Sequence, residues 1–310
     1  MTVRPAPSGA QFVIEHEQHR AVVTEVGATL REYTVDGRAV IDGFGQGERS
    51  SDGRGQVLAP WPNRLRDGRY EFDGHHCQAA LDEPARQNAI HGIVRWLDWS
   101  LVSWDPTSVA LRCTLRPQPA YEWALELAVT YTLDRDGITV RSRAVNQGNE
   151  RAPFGLGFHP YLTLGTGRVD DVVLSLPARV YLTGTDSSSP PTAVPVIGTG
   201  CDFSGPRLVG STRLDTAFGD LVRGPDGCAV VRLETAAGSR GLDVWVDEAY
   251  RYLMVYSADE VESVERRRSA LAIEPMTCPP NALQTGDDVV VLAPGEPWEA
   301  SWGIRPDTHY

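Results

Sequence analysis

Two residues of this 310-residue chain stand where burial and ionisation conflict. Glu274 closes the apolar run Leu271-Ala272-Ile273-Glu274-Pro275-Met276. A carboxylate inside an apolar strand costs on the order of several kcal/mol unless it is paired or bonded, and a raised pKa suits a general base. His159 lies among aromatics and glycines in Phe154-Gly155-Leu156-Gly157-Phe158-His159-Pro160-Tyr161. Three further segments set polar side chains in apolar, turn-rich surroundings: Trp61-Pro62-Asn63-Arg64, Asn88-Ala89-Ile90-His91-Gly92 and Leu214-Asp215-Thr216-Ala217-Phe218. Singly, each has a plain structural reading, such as a satisfied core histidine or an aspartate capping a turn.

Other chemistries fail at the motif level. The chain has no G-x-S-x-G elbow, no H-E-x-x-H pair, no EF-hand loop and no complete G-x-G-x-x-G; Gly43, Gly45 and Gly47 make only a loose loop. His75-His76-Cys77 follows the Asp73-Gly74 turn, and adjacent strand residues face opposite sides, so a solvated hairpin is expected there. All 29 basic residues are arginine, and with no lysine the Schiff-base, pyridoxal phosphate and Walker-A readings are excluded. No cofactor and no metal are expected.

A net charge of −12 opposes nucleic acid and anionic membranes as partners, because binding to either rests on basic residues. Cys77, Cys113, Cys201, Cys228 and Cys278 are odd in number and never spaced C-x-x-C, which implies free thiols in a reducing compartment. The first residues lack the apolar core of a signal peptide, and no run approaches the ~18 apolar residues of a membrane span. A soluble, cytoplasmic protein is expected; its oligomeric state is not legible.

The elements that must position these residues are strands. Alternation and β-formers mark Gln11–Glu17, Arg20–Val26, Ser108–Arg116, Glu122–Leu133, Ile138–Asn146, Asp171–Leu182, Cys228–Thr235, Leu242–Val246, Arg251–Tyr256 and Asp288–Leu292. Asp36-Gly37, Asp67-Gly68, Asp73-Gly74, Asp136-Gly137 and Asp226-Gly227 supply hairpin turns. Ala258–Ser269 is the best helix candidate, short and highly charged and read as a surface turn of helix, and Gly184–Gly205 reads as a long ordered loop. One all-β domain over residues 1–310 is predicted, a single large antiparallel sandwich.

Taken in chain order, the polar segments are more specific than they are singly. Asn63-Arg64, then Asn88-x-x-His91-Gly92, Phe158-His159-Pro160-Tyr161, Asp215-x-x-Phe218 and Glu274-Pro-Met-Thr-x-Pro-Pro-Asn281-Ala resemble the aldose 1-epimerase (galactose mutarotase) family, from about Val13 to Arg305. The resemblance implies a β-supersandwich, Glu274 as general base and His159 as general acid. Asn63, Arg64, His91 and Asp215 are implied as sugar-binding residues. Trp61 and Tyr161 would offer apolar faces to the sugar ring. Ile93-Val94-Arg95-Trp96 departs from the glycine-rich form common after the His-Gly pair, and the acid motif has Pro160-Tyr161 where others have His-x-Tyr-Phe-Asn.

Such a reaction needs few groups. A base removes the anomeric proton while an acid protonates the ring oxygen, C1–O5 opens, and closure on the other face reverses the roles. The expected activity is interconversion of the α and β anomers of a free aldohexose. The alternatives are a hexose-6-phosphate 1-epimerase, a glycoside hydrolase using Glu274 with Asp215, and a carbohydrate-binding protein without activity.

Overall fold

The structure is a computed structural model and describes residues 6–185, 191–307 and 310. Alternation in sequence becomes alternation in burial. Along Leu125–Asp134 every second side chain is buried until the strand meets its turn, as expected when one face covers a core.

Two antiparallel sheets dominate. The nine-stranded sheet runs in the order Ser100–Trp104, Ser108–Leu115, Leu125–Asp134, Gly137–Asn146, Pro297–Pro306, Gly241–Val246, Ala229–Thr235, Val172–Ser175, Arg207–Leu208. The eight-stranded sheet runs Thr192–Pro195, Ala178–Thr183, Asp215–Leu221, Tyr252–Tyr256, Leu271–Met276, Gly157–Phe158, Val57–Leu58, with Tyr161–Leu162 also paired to Leu271–Met276. Gln11–His16 opens a smaller four-stranded sheet at the N-terminal side. The large sheets meet through buried aromatics: Phe158 of one lies 5.2 Å, centroid to centroid, from Trp302 of the other. This is the all-β sandwich that the sequence pattern predicts.

Three local expectations need correction. The turn of helix expected in Ala258–Ser269 is confined to three residues, the 3-10 turn Val264–Arg266, and the rest of the segment is irregular. The reason lies in Arg268, buried and bonded to Asp170, Asp259 and the carbonyls of Gly210 and Thr212, with Ala258 and Arg268 both at positive φ. These tertiary bonds hold the backbone out of the helical region. Asp171–Leu182 is not one strand. Val172–Ser175 belongs to the nine-stranded sheet and Ala178–Thr183 to the eight-stranded sheet; Pro177 between them has no N–H to continue a ladder. Gly184–Gly205 contains the strand Thr192–Pro195, paired with Ala178–Thr183, while residues 186–190 of that segment lie outside the described residues.

Phe158 ties the two sheets together directly beside His159. Phe158→Ala leaves a cavity between the sheets and is expected to lower stability by about 3–5 kcal/mol. Urea unfolding monitored by tryptophan fluorescence measures it; a loss below ~1 kcal/mol would contradict the packing described here.

Candidate active site

Strand register brings the two ionisable groups together. Leu271–Met276 is buried along its whole length, and its Leu271 and Ile273 side chains join the main core. Ala272, Glu274 and Met276 point to the other face, because successive strand side chains alternate. Across from them run Gly157, His159 and Tyr161: Gly157 is paired with Met276 and Tyr161 with Ala272. His159 therefore stands opposite Glu274, and its Nε2 lies 3.3 Å from Glu274 Oε1.

Both side chains are almost wholly buried, His159 at 4% and Glu274 at 2% exposure. Burial pushes the Glu274 carboxyl well above the usual carboxylate range, helped by the charge of Asp215 and opposed by Arg64. Burial likewise pushes His159 down to about 3, with the Arg54 and Arg95 cations acting in the same direction. Desolvation thus drives both groups toward their neutral forms, although their mutual attraction would favour an ion pair. Glu274 Oε2 and His159 Nδ1 are buried without a hydrogen-bond partner. Native structures rarely leave such atoms unsatisfied away from functional sites.

The surrounding residues build a cleft of about 690 Å³ over this pair. Asn63, Arg64, His91, His159, Tyr161, Asp215 and Glu274 all line it, so the fold gathers every predicted site residue into one place. Asn63, at positive φ, donates its backbone N–H to His91 Nδ1 at 3.2 Å. Burial lowers the pKa of His91 far below its ordinary value. With Nδ1 accepting, a neutral His91 carries its proton on Nε2 and is a hydrogen-bond donor. Arg64 is held by Glu83, Nε to Oε2 at 2.9 Å, and its Nη1 reaches Asp215 Oδ2 at 3.5 Å.

Two expectations about aromatic faces are altered. Trp61 does not line the cleft; it is a core residue at 3% exposure. Tyr161 does line it, but its ring stacks on the His159 imidazole at 4.9 Å and 15°. Beyond Tyr161 the sequence reading missed Arg54. This guanidinium is 1% exposed, sits 4.4 Å from the Tyr161 ring centroid, and pairs with Asp52 and Asp42. Tyr161 Oη also donates to the Asp52 carbonyl at 2.9 Å. Asp52-Gly53-Arg54 is legible as a turn, but nothing in the sequence places it beside His159.

Gly53 is the tightest point of that support. It has φ +78°, and a Cβ there would lie 2.6 Å from His159 Cδ2. Gly53→Ala is expected to lower stability by roughly 1–3 kcal/mol and to displace the imidazole. The His159 ring resonances in NMR check this; unchanged shifts in a folded variant would refute the contact.

A larger hollow of about 900 Å³ lies elsewhere, lined by Asp247, Glu248, Arg251, Asp288 and Trp298 among others, and it contains neither Glu274 nor any histidine. Chemistry rather than size selects the smaller cleft. Its residues fall within a match to the sequence profile of aldose 1-epimerases that covers residues 10–305. The chain is 30% identical to YihR, an uncharacterised Escherichia coli protein, over 96% of this chain and 93% of that one. It is 27% identical to a maltose epimerase of Levilactobacillus brevis, covering 94% and 92%. In fold it is similar to the aldose epimerase homologue of C. elegans, TM-score 0.84 at 20% identity over 96% and 98% of the two chains. A galactose 1-epimerase from Lactobacillus acidophilus superposes with TM-score 0.80 at 20% identity, covering 95% and 93%. With a family profile matched along nearly its full length, the chain belongs to the aldose 1-epimerase family and is an isomerase of that class.

Proposed function

We propose that the protein interconverts the anomers of a free, uncharged aldose, with Glu274 as base and His159 as acid. The single observation that carries this is the buried pair at 3.3 Å with one unsatisfied atom on each partner. The Glu274 carboxylate takes the proton of the anomeric hydroxyl while the His159 imidazolium protonates the ring oxygen. The C1–O5 bond then breaks, leaving the aldehyde, a protonated Glu274 and a neutral His159. Rotation about C1–C2 presents the other face, O5–H returns its proton to His159, and Glu274 reprotonates O1. The neutral pair that burial favours is thus the protonation state that faces the open-chain sugar. His91 Nε2–H, Arg64 and Asp215 supply a donor, a cation and an acceptor for sugar hydroxyls.

Charge supports an uncharged sugar. Seven carboxyl side chains line the cleft (Asp52, Asp82, Glu83, Asp215, Asp259, Glu260, Glu274) against four arginines (Arg64, Arg86, Arg95, Arg213). Each arginine already has a carboxylate partner: Arg64 with Glu83, Arg86 with Glu260, Arg95 with Asp82 and Arg213 with Asp259. A phosphate dianion wants converging cations that are not so neutralised. The similarity to a maltose epimerase leaves the length of the sugar to be decided by the cleft itself.

Polarimetry of freshly dissolved α-D-glucose, with EDTA-dialysed protein, tests the assignment. Glu274→Gln and His159→Asn should each lower kcat by about 10²–10⁴-fold with small changes in KM. Near-normal turnover in Glu274→Gln would remove the base from the scheme. A kcat/KM for glucose 6-phosphate tenfold above that for glucose would move the protein to phosphorylated substrates.

The pKa directions also fix the pH profile. Ring opening needs one proton on the pair. As pH rises through the elevated value of Glu274 the pair loses that proton; as it falls toward about 3 the pair gains a second. The profile of kcat/KM should therefore be a bell, with its alkaline limb above the ordinary carboxylate range. A profile without an alkaline limb would contradict the one-proton requirement.

A further inference from the structure

We propose that Arg54 is a positioning residue for the general acid: it fixes the ring of Tyr161, and that ring, rather than a hydrogen bond, orients the His159 imidazole. The inference rests on the epimerase reading of the Glu274–His159 pair.

The need for such support comes from His159 itself. In a histidine that transfers protons, the second ring nitrogen is commonly held by a carboxylate or a carbonyl, which sets tautomer and tilt. His159 Nε2 faces Glu274 Oε1 at 3.3 Å, but Nδ1 has no hydrogen-bond partner among the described residues. The ring can turn about Cβ–Cγ unless its neighbours block it. Two contacts do so: Tyr161 stacks on it at 4.9 Å and 15°, and His91 meets it edge-on at 5.3 Å and 76°.

Arg54 secures the larger of these rings. Its guanidinium carbon lies 4.4 Å from the Tyr161 centroid, and a desolvated cation is drawn to an aromatic face. Nη1 donates to Asp52 Oδ2 at 2.9 Å, while Nε and Nη2 donate to Asp42 Oδ2 at 3.4 and 3.3 Å. The same turn holds the rest of the acid. The Asp52 carbonyl accepts from Tyr161 Oη at 2.9 Å. The Gly55 N–H donates to the His159 carbonyl at 2.9 Å, and the His159 N–H donates to the Gln56 carbonyl at 3.2 Å. For stability alone, a buried cation between carboxylates is no better than an apolar side chain of similar volume. An apolar side chain would not reproduce the pull on the Tyr161 ring or the charge near His159.

That charge has a direction. Burial is the main cause of the low pKa of His159, and the Arg54 and Arg95 cations add to it. The other groups around the imidazole are Glu274 on Leu271–Met276, His91 after Asn88–Ile90, Tyr161, and Asp52 with Asp42 beside Arg54. Burial keeps His91 neutral and raises the Tyr161 phenol well above its ordinary value, so neither offsets a lost cation. Removing Arg54 takes away one positive charge and leaves two aspartates uncompensated. Both changes favour the imidazolium, so the acid limb of the pH profile moves to higher pH.

The test is anomer exchange of glucose and galactose followed by NMR across pH, for wild-type protein, Arg54→Lys, Arg54→Met, Tyr161→Leu and the Arg54→Lys/Tyr161→Leu double variant. Arg54→Lys keeps the charge but not the planar fork, so kcat should fall about tenfold with KM and the acid limb in place. Arg54→Met should lose at least as much and raise the acid limb by about one pH unit. In the Tyr161→Leu background Arg54→Lys should add little, because its effect passes through that ring. Three results each overturn the positioning role alone: wild-type kcat in a folded Arg54→Lys, additive losses in the double variant, or an unmoved acid limb in a folded Arg54→Met. If Arg54→Met does not fold, the first two still decide. If wild-type protein converts neither sugar, the epimerase reading falls and takes this inference with it.

Discussion

A carboxyl and an imidazole 3.3 Å apart, both nearly sealed from water, are the constraint around which the rest of the structure is organised. Removing either charge from water costs on the order of several kcal/mol, and proximity recovers only part of it. Burial therefore drives both groups toward their neutral forms. Such an arrangement is unstable against small displacements, since a slightly larger gap would admit water and relax both pKa values. It has to be built on rigid elements.

The rigid element is the strand Leu271–Met276, buried on both faces and paired on both sides. Its partner segment carries His159 between two fixed register points, Gly157 and Tyr161. Behind Tyr161 stands Arg54, and this buried cation depends on Asp42 and Asp52. Those aspartates are tied in turn to the irregular segment after Ala258: Asp52 Oδ1 accepts the Glu262 N–H, and Asp42 pairs with Arg266. The loss of the expected helix there is thus coherent with the site, because a regular helix would satisfy its own backbone instead of reaching these carboxylates.

At the cleft walls the electrostatics are softer. Asp215 is 44% exposed, so its pairing with Arg64 is screened by solvent and leaves both groups able to exchange partners. Arg64 itself is 12% exposed and anchored by Glu83. The Glu274–His159 pair is dry, while Arg64 and Asp215 at the cleft wall are partly wet and held by ion pairs. In the proposed reaction that division uses buried charge without trapping the ligand.

The sequence by itself determined the strand-rich class and the hairpins at Asp36-Gly37, Asp73-Gly74 and Asp136-Gly137, whereas Asp67-Gly68 and Asp226-Gly227 join strands that do not pair with each other. It also offered Glu274, His159, Arg64, His91 and Asp215 as candidates, through polar segments that carry a family resemblance only when taken in order. Those features are local: alternation, turn residues, and polar types stranded in apolar runs. It drew the helical turn within Ala258–Ser269 too long and joined Val172–Ser175 to Ala178–Thr183, since a buried arginine network and a switch between sheets leave no periodic trace. It left Trp61 between a sugar-facing ring and a core filler, and burial puts that ring in the core. Only the tertiary structure decided that Arg54 backs the His159–Tyr161 stack and that Arg95 and Trp96 face the same cleft. These are long-range contacts, and a linear chain specifies which groups exist without displaying which of them folding will bring within a few ångströms.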